Sequence, residues 1–201
     1  GNYLILPTWE HNTYREAVTK SVKANIGYLQ RVKEIFNTGE GITTTYKVSR
    51  KEAVLALSNL NTTFQRMLQE PKFMQYKNPS VYGIIVIQQA FLASVASFGI
   101  RLNSKKVTFP KAVFNEAIES LIAALQHCLT LLVEPTATAQ TDYKTPIEQF
   151  NQSIREIIDT PQNTDTSSPI SMRETQFYGE QFNYLFGLAK NLEQAIRSIN
   201  T

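Results

Sequence analysis

Residues 49–72 read SRKEAVLALSNLNTTFQRMLQEPK. Ala53, Leu57, Leu60, Phe64 and Met67 recur at alternating spacings of four and three, which places them on one face of a helix and predicts that this face is buried. Arg50 and Lys51 fall in the first turns, while Asn59 and Arg66 lie seven residues apart on another face. Glu70-Pro71 ends the helix, because proline disfavours helical geometry in the residue before it.

The same period extends in both directions. Thr8 caps a first helix expected to run to about Phe36, with Val18, Val22, Leu29, Val32 and Phe36 inward and the pair Glu16/Lys20 outward. Asn37-Thr38-Gly39-Glu40-Gly41 breaks it, so the next helix, about 44–69, returns antiparallel as a long hairpin. Asn78-Pro79 opens a third helix to about Leu102. Its residues 81–100, VYGIIVIQQAFLASVASFGI, carry no charge over the length of a membrane span. Two adjacent glutamines, Gln88 and Gln89, would need partners at bilayer depth, so burial as the central helix of a bundle is the expectation.

Phe109-Pro110 begins a fourth helix to about Val133, with Phe114, Ile118, Leu121, Leu125, Leu129 and Leu132 inward. Loops are expected at 134–145, rich in Thr, Ala, Gln and Pro and read as mobile, and at 160–170. Between them a shorter helix, about 146–159, uses Ile147, Phe150, Ile154 and Ile157. A last helix, about 171–199, aligns Leu185, Leu188, Leu192, Ile196 and Ile199. No segment reads as a strand. The fold class is therefore all-α: an antiparallel bundle of five to six helices, four of them long.

With 201 residues and 42% hydrophobic content, the chain has material for one helical domain, residues 8–201. A net charge of +3 without a clustered basic face gives no case for nucleic acid as a partner. Basic residues are in excess before residue 134 and acidic ones after it. A solvated helix face and a segment beside a cytoplasmic membrane surface both account for that bias. The single cysteine, Cys128, excludes an intrachain disulfide and lies in an apolar run as a core residue.

Candidate chemistry is sparse. A ferritin-like metal site needs a glutamate three residues before each metal-binding histidine, but Thr8 and Ala124 hold those places before His11 and His127. Gly39-Glu40-Gly41 lacks the Gly-Lys-Ser/Thr of a phosphate loop and joins two helices. Glu116 and Glu119 read as a solvated face. Phe177, Tyr178, Phe182, Tyr184 and Phe186 read as core, with a ligand cavity as the alternative. Neither a catalytic residue, a metal nor a cofactor is expected. Arg50, Arg66 and Arg101 can grip a carboxylate with paired hydrogen bonds or hold helices in register.

Arg50, Lys51, Glu52, Asn59, Leu60, Phe64, Gln65, Arg66, Met67, Leu68, Glu70 and Pro71 together resemble a helix of the fusaric-acid-resistance-like (FUSC) superfamily of inner-membrane proteins, in its YccS/YhfK-like branch. The match is specific over about 25 residues and weaker elsewhere. The resemblance implies the C-terminal cytoplasmic domain of a bacterial inner-membrane exporter of aromatic or other organic acids. Its partners would be the transmembrane part of the same polypeptide and further copies of itself. Arg50, Lys51, Asn59, Gln65, Arg66, Glu70 and Pro71 would be motif or interface residues, and Arg66 and Arg101 candidates for holding an organic acid. It also favours reading residues 1–7, with Tyr3-Leu4-Ile5-Leu6-Pro7, as the stub of a membrane helix, where the residues alone equally fit a hydrophobic staple. A freestanding helical adaptor or small-ligand sensor is the alternative.

Overall fold

The computed structural model describes residues 8–70, 78–104, 107–160 and 170–200, and all six elements in them are helices: α1 Thr8–Thr38, α2 Thr44–Leu68, α3 Pro79–Ser104, α4 Lys111–Val133, α5 Lys144–Asp159 and α6 Met172–Ile199. The all-α class follows. α6, with 28 residues, runs as expected from its sequence and makes the long helices five where four were counted. The expected stub at 1–7, Pro71 and most of the loop 160–170 lie outside the described residues.

The stripes form the core. Val18, Val22, Leu29, Val32 and Phe36 of α1 are buried, as are Ala53, Leu60, Phe64 and Met67 of α2 and Leu185, Leu188, Leu192 and Ile196 of α6. Four helices, α1, α3, α6 and α4, make a square in that cyclic order, with α2 laid outside α1 and α3 and α5 outside α4 and α6. Hydrogen-bond pairs fix the directions. Lys33 meets Glu119 and Asn37 meets Asn115, so α1 and α4 run antiparallel. Asn78 meets Ser198 and Ser94 meets Gln181, so α3 and α6 do too. Tyr14 meets Val81 and Ser21 meets Gln88, so α1 and α3 run parallel. α2 is the return stroke that makes this parallel pair possible, and α5 does the same between α4 and α6.

At the end of the square near the α1–α2 turn, all four core helices contribute rings to one cluster. Phe36 of α1 stacks on Phe114 of α4 at 3.7 Å between centroids, and Phe98 of α3 stacks on Tyr178 of α6 at 5.8 Å. Phe182 packs against both Phe98 and Phe114, and Phe150 of α5 closes over Phe182 at 5.1 Å. The aromatic residues of α6 are therefore filling for a core, with Tyr178, Phe182 and Phe186 buried and Tyr184 outside.

Two expectations are corrected. α3 is not enclosed: Ile84, Gln88, Phe91, Val95 and Phe98 are buried, but Tyr82, Gln89 and Ile100 stand open, because α2 and α6 cover only its flanks. Nor is the loop after α4 loose. It spans 134–143, its Tyr143 is buried, and Arg197 of α6 donates to the carbonyls of Ala137 and Ala139. α5 then starts two residues earlier than expected, and Asp142, just before its N-cap residue Tyr143, accepts at Oδ1 from the amides of Lys144 and Thr145.

Candidate functional site: the α2–α3 surface and the buried polar clusters

The motif on α2 divides largely by chemistry. Its apolar members Leu60, Phe64 and Met67 are buried, whereas Arg50, Lys51, Glu52, Asn59, Gln65, Arg66 and Glu70, together with Leu68 in the last turn, are exposed. The polar members line no enclosed pocket. Asn59 and Glu52, with Leu55, border a shallow groove of about 330 Å3 against Glu16 and Lys20 of α1. Arg50 and Arg66 project from nearly opposite sides of α2, as a separation of sixteen residues dictates.

Arg66 and Arg101 are not brought together. Phe64 packs at 5.5 Å on Tyr82, near the start of α3, whereas Arg101 is in the last turn of α3 with its guanidinium 4.5 Å over the ring of Phe177. At a rise of about 1.5 Å per residue, the two arginines stand roughly 28 Å apart along the bundle. One small acid cannot bridge them.

α2 meets α3 through a close approach that the sequence alone does not announce. The Tyr46 hydroxyl bonds that of Tyr28 at 2.9 Å and presses on Gly99, where an added Cβ would stand 1.8 Å from the hydroxyl oxygen. Gly99 is the only residue type that leaves room there.

Polar groups do enter the core, each tied to a structural task. Gln88 donates to Ser21 at 3.0 Å and accepts from Asn25, joining α1 to α3. Arg15 of α1 donates to the carbonyls of Leu131 and Leu132 and to Asn200, satisfying the free end of α4. Glu174 accepts from the amides of Thr108 and Phe109 and so ties the α3–α4 connection to α6.

The densest cluster surrounds Glu193, a buried carboxylate on the α6 stripe. Arg197 lies 3.0 Å from its Oε1, and His127 Nε2 stands 3.1 Å from the same oxygen without the alignment of a hydrogen bond. Burial, then Glu193, pushes the neighbouring Cys128 thiol up to about 12, which leaves it protonated and poorly nucleophilic. Burial also raises the Tyr143 and Tyr178 hydroxyls far above the ordinary phenol value. This cluster clamps the 134–143 loop to α6, with its one carboxylate buried and its one histidine partly exposed beside it. Sequence reasoning missed Glu193. Its spacing of four from Ala189 and three before Ile196 was the available signal.

An opening of about 720 Å3 lies beside the α1–α2 turn and is lined by Phe36, Gly39, Gly41, Asn103, Phe109 and Lys111. Lys111 already donates to the Asn37 carbonyl, and among the described residues no second cation lines the opening. Among the described residues no three His, Cys, Asp or Glu side chains gather to hold a metal ion.

The class defined by these observations is an all-α bundle whose distinctive surface is the α2–α3 side. In comparison with known proteins, the chain matches no family model, no curated sequence and no solved structure.

Proposed function

We propose that this chain is the cytoplasmic domain of a FUSC-like transporter of the bacterial inner membrane, an exporter of aromatic or other organic acids, in which it assembles or gates the membrane part and performs no catalysis. The observation that supports this reading is the placement of the motif. Its polar members face outward from α2, Glu52 and Asn59 toward α1 and Arg50, Lys51 and Gln65 toward the uncharged open side of α3, where contacts to other parts of an assembly can form. Its partners are the transmembrane part of the same polypeptide and further copies of the domain, and the mild charge gives no case for nucleic acid.

The test is made in cells. The reading requires several apolar stretches of about 20 residues in the coding sequence before residue 2. It also requires that deleting residues 8–200 raise sensitivity to aromatic carboxylic acids. A start codon at that point, together with thermal stabilisation of the chain by such an acid that vanishes in Arg66→Ala, would replace it with the sensor reading.

A further inference from the structure

We infer that the outer side of α2 and α3 docks flat on a lipid surface bearing anionic headgroups. The open stripe of α3 is Tyr82, Val86, Gln89, Ala93 and Ile100, at helical spacing, and three of these are large: Ile100 is 75% exposed, Tyr82 56% and Val86 44%. α3 has the length and hydropathy of a membrane span yet is only partly covered by protein, so its uncovered side is apolar by composition.

α2 supplies the charge. Tyr46 lies against Gly99 and Phe64 against Tyr82, so α2 runs antiparallel beside α3 over most of its length. One flank of α2, with Glu52, faces α1 across the shallow groove. The opposite flank therefore borders the α3 stripe, and at helical spacing it reads Lys47, Lys51, Val54, Ser58, Asn61 and Gln65, with Arg50 beside Val54. Neither that flank nor α3 from Pro79 to Ile100 carries a carboxylate.

Cations at one end, apolar side chains along the middle and a tyrosine at the other end match a headgroup layer over acyl chains. A second copy fits less well, since a two-fold pairing of these faces sets the cations of each against neutral residues of the other. The inference extends the membrane-side assignment above and rests on it only for which membrane is met. Vesicle binding and the cellular phenotype are separate readouts, so either can fail alone.

The experiment is co-sedimentation of the full chain with phosphatidylethanolamine vesicles, with and without phosphatidylglycerol. Binding is expected only with the anionic lipid and is lost near 1 M salt, where the Debye length falls to about 3 Å. Arg50→Gln with Lys51→Gln lowers partitioning roughly twenty-five-fold, at about fivefold for each cation. Val86→Glu and Ile100→Glu weaken it as well. Ala123→Glu, on the exposed side of α4 diagonal to α3, leaves it unchanged, and circular dichroism shows every variant equally helical. Absence of binding to anionic vesicles at low salt overturns the inference, as does binding that none of the α2 or α3 variants alters. A stable dimer in solution that Val86→Glu splits overturns it in favour of self-association.

Discussion

α3 and α4 are the two most membrane-like helices of the chain, and the same share of each apolar window, 44%, is buried. Their open sides differ. α4 exposes Glu116 and Glu119 to water, and Glu119 reaches Lys33 of α1 at 2.7 Å. α3 exposes Tyr82, Val86 and Ile100 and carries no charge before Arg101. Equal burial with unequal solvent faces separates two causes of high hydropathy. α4 is apolar because the core requires it; α3 is more apolar than the core requires, and the excess lies on its surface.

The comparison breaks most sharply in the aromatic cluster that both helices share, where Phe98 and Phe114 meet edge to face. Phe114→Ala is expected to cost about 3–5 kcal/mol, read from the urea midpoint, because the ring is fully buried between Phe36, Tyr178 and Phe182. A loss below 1 kcal/mol would mean that the cluster is not the joint between the two sides.

A smaller loss tests the α3 side alone. Gly99→Ala should destabilise by about 1–3 kcal/mol, since the Tyr46 hydroxyl must vacate its place. Adding Tyr46→Phe should restore part of this and no more, because the ring carbon bearing that hydroxyl would still stand 2.8 Å from the new methyl. Full stability in the single variant would place α2 elsewhere.

Alkaline pH tests the α4 side. The Cys128 thiol ionises near 9 in the unfolded chain and near 12 when folded, so the unfolded state releases its proton first. Stability from this group is complete below pH 9 and declines as pH rises toward 12; the raised hydroxyls of Tyr14, Tyr28, Tyr143 and Tyr178 add to the decline above pH 10. Iodoacetamide at pH 8 should therefore label Cys128 only after denaturation. Rapid labelling of the folded chain would contradict the packed cluster. The smallest effect is on stability at the two open sides. Val86→Lys and Ala123→Lys should each shift it by less than about 0.5 kcal/mol, while only the first changes solubility in a salting-out series.

The sequence made the architecture legible wherever burial repeats at helical spacing. The stripes of α1, α2 and α6 return as core almost residue for residue. Composition also showed that α3 was apolar all round, but not which side the neighbours would leave open. That depends on how wide α2 and α6 are when packed against it. The 134–143 segment misled because Thr, Ala, Gln and Pro describe only local preference, whereas Arg197 and Tyr143 secure it from 46 to 60 residues away. The surface placement of Arg50, Lys51, Asn59, Gln65 and Arg66 was half legible. Their spacing excluded them from the stripe but did not say that Arg66 and Arg101 would stand at opposite poles.

Arg15 of α1 donates to Asn200, just past α6, at 2.7 Å. Arg15, two turns into α1, and the residue just past α6 are therefore held within one side chain's reach, at the pole away from the stacked rings. Any polypeptide leading into α1 or leaving α6 attaches at that shared pole.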